Sequence, residues 1–204
     1  MKSSKKQLMK GYVGVKFIAI RLSDKCPAPE QDLFAAFLRT CNRLRTYNMT
    51  PANGGNLSVR HKNDFVISSA GSNLGCIEKN ELVLVNKCDL GTKEVCYYGP
   101  AKPSSETFMH WLIYKNQPEA KAIIHAHDEP ATSSNLLNGK VMESEHEKPY
   151  GTIELARMAL ATFGGSEKII VLKNHGYVAA GPDLDSTCDL IIETHQRLLA
   201  GREN

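Results

Sequence analysis

Apolar residues recur along the chain in two rhythms. Leu33, Phe34, Phe37, Leu38, Cys41 and Leu44 fall three and four apart. That spacing predicts an amphipathic helix with Asp32 as a cap, ending near Asn48 because Pro51 disfavours helix before it. Asn53-Gly54-Gly55-Asn56 follows as a tight turn of residues that tolerate positive φ. Residues 57–60 and 64–68 read as the strands of a hairpin, and residues 81–86 as a further short strand. Pro103-Ser104-Ser105-Glu106 predicts a helix start with a serine cap and an acid in the first turn. This helix runs through Met109, Trp111, Leu112 and Ile113 and stops before Pro118. Residues 121–127 read as a strand. Thr152 caps a helix carrying Ile153, Ala156, Leu160 and Phe163, which Gly164-Gly165 ends. Residues 168–172 and 177–180 are strands around the turn Asn174-His175-Gly176. A last helix carries Cys188, Ile191, Ile192, His195 and Leu199.

Helices and short strands thus alternate irregularly. Short hairpins imply antiparallel pairing, and the helices imply cover on the faces. The expected fold is α/β, a three-layer α/β/α sandwich around a mostly antiparallel central sheet. The 204 residues suit one domain over residues 30–204, preceded by an N-terminal arm over residues 1–29. The apolar stretch at 13–20 is interrupted by Lys16 and closed by Arg21, so it reads as an edge strand or appended arm rather than a signal peptide.

Composition narrows the function. Hydrophobic residues make up 42% and charged residues 23%, ordinary globular values that exclude a disordered or fibrous chain. The net charge of +3 owes much to Lys2, Lys5, Lys6 and Lys10, and no basic face announces nucleic acid. No stretch approaches the ~20 apolar residues that span a membrane. Six cysteines without C-x-x-C spacing read as reduced thiols in a cytoplasmic protein.

His125-Ala126-His127 is the sharpest chemical signal. Residues two apart on a strand share a face, so the two imidazoles either hold one metal ion or stand exposed on a solvated face. His175, in a glycine-containing turn, would make a third ligand and leave a fourth position open, as a catalytic metal site requires. Glu106 is the candidate general base. His110, one turn later, either lines the pocket or orients that acid, and His195 reads as a satisfied core histidine. Three small-residue loops, around Gly54-Gly55-Asn56, Ser69-Ala70-Gly71-Ser72 and Ser104-Ser105, offer backbone N–H groups to an anion.

Five blocks in order resemble one family: residues 54–60 (GGNLSVR), 68–71 (SSAG), 102–106 (KPSSE), 125–127 (HAH) and 174–176 (NHG). They are similar to the zinc-dependent class II sugar-phosphate aldolases and adducins, a family that includes L-fuculose-1-phosphate aldolases, pentulose-5-phosphate 4-epimerases and methylthioribulose-1-phosphate dehydratases. The resemblance implies zinc, or another divalent metal, on His125, His127 and His175. Glu106 would be the acid/base and also able to touch the metal. Gly55, Asn56, Ala70, Gly71, Ser104 and Ser105 would surround the substrate phosphate. A homotetramer with sites at subunit interfaces is implied, as is cleavage of a ketose phosphate to dihydroxyacetone phosphate and an aldehyde. Epimerase relatives carry aspartate where Glu106 stands, and dehydratases alanine where Ser105 stands, which tilts the chain toward an aldolase. Retention of the three histidines and Glu106 favours an enzyme, with a non-catalytic, adducin-like interaction domain as the alternative. Only 29 residues follow His175, so Tyr150 is the candidate for the catalytic tyrosine that the aldolases carry in a longer tail.

Overall fold

The computed structural model describes residues 15–28, 31–128, 137, 139, 141–165 and 167–200. In chain order the elements are β1 (Ile18–Ser23), α1 (Gln31–Thr46), β2 (Asn56–His61), β3 (Asp64–Ser68), β4 (Leu82–Asp89), β5 (Glu94–Tyr98), α2 (Thr107–Asn116), β6 (Ala122–Ala126), β7 (Met142–Glu143), α3 (Ile153–Phe163), β8 (Ile169–Leu172), β9 (Gly176–Gly181) and α4 (Leu184–Ala200). The strands form one sheet in the order β1-β5-β4-β3-β2-β6-β9-β8-β7.

The pleat divides the core into two layers. Leu57, Val66, Leu84, Ile124, Val171 and Ala179 pack with Phe37, Cys41 and Leu44 of α1 and Cys188 and Ile191 of α4. Their neighbours Phe65, Ile67, Val83, Ile123, Ile170 and Val178 pack with Phe108 and Ile113 of α2 and Leu155, Ala159 and Phe163 of α3. Strands buried on both faces by helices give the three-layer sandwich. Each fully buried Leu, Ile or Phe contributes about 1.5–3 kcal/mol relative to exposure. The helix ends follow local chemistry. Thr152 accepts from the Leu155 N–H at the start of α3, and Gly164 closes that helix in the left-handed conformation.

Three expectations need correcting. The sheet is mixed. Its interior pairs are antiparallel, but both edge pairs, β1–β5 and β7–β8, are parallel. Hairpin logic sees only strands adjacent in sequence, whereas β1 and β7 reach the sheet through long connections. The sequence reading also has no strand at Glu94–Tyr98. Asp89 Oδ1 accepts from the N–H groups of Gly91 and Thr92, and this turn folds β5 back onto β4. Finally, no serine caps α2. Glu106 itself occupies the N-cap position, while Ser104 Oγ accepts from the Glu106 N–H at 3.3 Å. Ser104 N–H is already tied to Ser68 O, and Pro103 bridges to Ser69, so this segment is held extended beside β3.

The stretch read as edge strand or arm contributes β1, at one sheet edge; residues 1–14 lie outside the described residues. All six cysteines are free thiols. No helix among the described residues is long and apolar enough to cross a membrane.

Candidate active site

The site grows from the register of three strands. β2 runs antiparallel to β6 with Asn56 opposite His125, and β6 pairs with β9 so that His125 stands opposite Val178. Leu57 and Ile124 point into the α1/α4 layer. By alternation Asn56, Ser58 and His125 point to the α2 side. His127 follows directly after β6, its N–H bonded to Met49 O. His175 lies in the turn before β9, after Asn174 at φ 55°. Gly176 lets this turn approach β6, since a Cβ there would stand 2.2 Å from Ala126 O.

The three imidazoles converge. Their centroids are 4.7–5.1 Å apart pairwise, and one nitrogen from each lies within 4.8 Å of the others. His125 Nδ1–H donates to Tyr177 O at 2.8 Å, which leaves the Nε2 lone pair facing the cluster. That Nε2 stands 3.0 Å from His127 Nε2, close to the ~3.3 Å separating two nitrogens on one tetrahedral zinc. Burial, more than the neighbouring histidines, pushes His125 and His127 down to about 3. Both are therefore neutral, the form that binds a metal.

Glu106 closes the cluster from the start of α2 and is itself buried, 4% exposed. Its Oε2 is 3.2 Å from His125 Nε2 and accepts from Asn56 Nδ2 at 2.9 Å. Its Oε1 lies 3.8 Å from His175 Nε2 and has no hydrogen-bond partner among the described residues. A buried, orphaned carboxylate oxygen beside converging histidine nitrogens fits a bound divalent cation.

The cluster lies against a pocket of about 430 Å³. Gly55, Asn56, Ala70, Gly71, Ser104, Ser105, Glu106, His127, Tyr150 and His175 all line it, while His125 is fully buried behind. Gly55 at φ +82° passes close to β6, because a Cβ there would meet His125 O at 2.7 Å. The other two loops are joined through their backbones: Ala70 N–H donates to Lys102 O, and Ser104 N–H to Ser68 O. Lys16 Nζ donates to Tyr150 O and lies 4.4 Å from its ring centroid.

Residues 35–198 match the model of the class II aldolase and adducin N-terminal domain. The chain belongs to that family. An L-fuculose phosphate aldolase of Methanococcus maripaludis is 31% identical over 161 residues, 72% of this chain and 84% of that protein. A 3-oxo-tetronate 4-phosphate decarboxylase of Haemophilus influenzae is 30% identical over 158 residues, 69% of this chain and 72% of that protein. A solved L-fuculose 1-phosphate aldolase superposes with a TM-score of 0.69 at 26% identity, over 84% of this chain and 85% of the other. Family membership is therefore secure, while the reactions of relatives differ at this identity.

Two polar residues of this class II aldolase domain escaped the sequence reading. Ser58 and Tyr114 are buried and join His110 beneath the site. The signal was present as Glu106, His110 and Tyr114 at four-residue spacing, opposite Asn56 and Ser58 at two-residue spacing. His195 is a satisfied histidine, its Nδ1 2.6 Å from Asp128 Oδ2. It does not line the pocket.

Proposed function

We propose that this chain is a zinc-dependent aldolase that reversibly cleaves a ketose phosphate to dihydroxyacetone phosphate and an aldehyde. The observation that carries this reading is the convergence of three histidine nitrogens beside the carboxylate of Glu106 at the wall of a pocket otherwise built from turns. His125, His127 and His175 would hold the metal, with Glu106 Oε1 as a further ligand when no substrate is bound. The metal would supply Lewis-acid stabilisation of the negative charge that develops as the carbon–carbon bond breaks.

The protein's own groups supply the rest. Gly55, Asn56, Ala70, Gly71, Ser104 and Ser105 surround the substrate phosphate, with backbone N–H groups replacing basic side chains. Glu106 moves the proton at the carbon beside the ketone. Tyr150, which lines the same pocket, would exchange the proton of the hydroxyl that becomes the aldehyde. Among the described residues no lysine lines the pocket. The working form is proposed to be a homotetramer in the cytoplasm.

A panel of ketose 1- and 5-phosphates, assayed with zinc, tests the reaction. Triose phosphate released from at least one member is the expected result. Epimerised pentulose phosphate without triose phosphate would select the epimerase reading. Dehydration without cleavage would select the dehydratase. Metal-free protein that turns over nothing would return the chain to an interaction domain.

A further inference from the structure

Beneath Glu106 lies a row of buried polar groups, of which the chemistry above leaves Ser58, His110 and Tyr114 unused. Glu106, His110 and Tyr114 stand four residues apart on one face of α2 and its N-cap, and Asn56 and Ser58 stand two apart on the facing side of β2. Four helical residues advance ~6 Å and two strand residues ~6.6 Å, so the two rows interleave in register. Their contacts alternate between helix and strand. Glu106 Oε2 meets Asn56 Nδ2 at 2.9 Å, and Asn56 Oδ1 meets His110 Nε2 at 2.6 Å. His110 Nδ1 meets Ser58 Oγ at 2.6 Å, and Ser58 Oγ meets Tyr114 Oη at 2.9 Å.

The direction of every bond follows from the carboxylate end. An ionised carboxylate only accepts, so the Asn56 amide turns its N–H to Glu106 and its oxygen to His110. His110 must then carry its proton on Nε2 and accept at Nδ1. Ser58 O–H donates to that Nδ1, and the Tyr114 phenol donates to Ser58. Burial pushes His110 down to about 3 and the Tyr114 phenol up, which agrees with a neutral ring and a protonated phenol. His125 Nε2 carries no proton when Nδ1–H is given to Tyr177 O, so it cannot donate to Glu106. Asn56 is thus the sole hydrogen-bond donor to the Glu106 carboxylate among the described residues. Rotation about the Glu106 side chain is resisted by that bond, and rotation of Asn56 by His110.

We propose that His110 and Asn56 are positioning residues for Glu106, fixing Oε2 through a one-way chain from Tyr114 and Ser58 so that Oε1 stays directed at the histidine cluster. This deepens the assignment of Glu106 as the acid/base and rests on that reading. It also gives the Asn56 side chain a task other than holding phosphate. A buried polar row is costly unless it is paired, and here each bond completes the next, leaving only Glu106 Oε1 without a hydrogen bond among the described residues.

The test uses the full-length, metal-loaded protein. In nitrogen NMR of histidine-labelled wild type, His110 should show the neutral tautomer protonated at Nε2; protonation at Nδ1 overturns the proposal, and this needs neither substrate nor variant. His110→Leu should keep its metal, while its crystal structure shows the Glu106 carboxylate displaced from Asn56; an unmoved carboxylate overturns the proposal. With a substrate from the panel, kcat should fall roughly 10–100-fold, the scale of a misplaced catalytic group, with KM little changed. His110→Gln, which can donate to Asn56 and accept from Ser58, should recover most of that loss. Loss without such recovery would mean a merely structural role. If His110→Leu does not fold, Tyr114→Phe takes its place and should lower kcat a few-fold at constant KM and metal content; an unchanged kcat counts against the chain. Failure of every substrate would defeat the proposed reaction and leave the tautomer and the carboxylate position to decide this inference.

Discussion

In the histidine–glutamate wall of the pocket the groups on offer belong to side chains, and two of them are fixed from behind. His125 is held by Tyr177 O, and Glu106 by Asn56. In the serine–glycine wall the groups on offer are largely main chain, and the loops are held to one another by Ser68–Ser104 and Lys102–Ala70 backbone bonds. In the first wall His125 and Glu106 are buried on a central strand and at a helix start, where a polar group is expensive and must be paired, while His127 and His175 flank them from a strand end and a turn. The second sits at strand ends, where backbone groups are left over from the sheet and cost little to present. Side-chain chemistry therefore depends on a few irreplaceable residues, whereas main-chain recognition depends on the path of the chain.

The strongest way to break this contrast is to remove a histidine. His125→Ala, His127→Ala and His175→Ala should each lose most bound metal and all measurable turnover, checked by metal analysis of purified protein. Stoichiometric zinc in all three would sink the assignment. Next is Glu106→Gln, which should retain fold and metal but lose roughly 10²–10⁴ in kcat, the worth of a positioned acid/base. Normal turnover of the loaded variant would remove Glu106 from the chemistry.

Gly55→Ala probes the seam between the walls. A positive φ alone costs an L-residue about 1–2 kcal/mol, and the new Cβ would also press on His125 O. The variant should melt lower and bind both metal and inorganic phosphate more weakly; weakening of phosphate alone would show the walls to be independent.

The smallest effect sharpens the contrast through pH. His110, His125 and His127 titrate at about 3 in the fold against 6.5 when free. The unfolded chain therefore takes up protons first as pH falls. Metal-free protein should be fully stable above about 6.5 and lose stability progressively toward pH 3. Thermal melts at pH 7.5 and 5.5 should show the drop, and His110→Asn should make it shallower. The serine–glycine wall carries no group that would contribute.

Much of the fold was legible because its signals are local. The α1 stripe from Leu33 to Leu44, the Thr152 cap and the Gly164 stop are each written within a turn or two of chain, and all appear where the spacing puts them. β5 was not legible, because its turn depends on a single Asp89 side chain followed by a short apolar pattern. The parallel edges were not either, since pairing across long connections leaves no local mark.

The same division runs through the site. By itself the sequence determined which residue types were available: the alternating histidines at 125 and 127, the histidine turn at 175, the acid at 106 and the small-residue loops. It also carried the family, because those blocks occur in a fixed order. Only the tertiary structure decided which atoms face one another. It set Asn56 opposite His125 by strand register, brought the His175 turn against β6 through Gly176, and placed Glu106 at the N-cap of α2 with one oxygen held by Asn56 and the other without a hydrogen bond among the described residues. The physical reason is that periodicity fixes the face on which a side chain lies, whereas hydrogen bonds between helix and strand depend on their relative axial register, which packing alone sets.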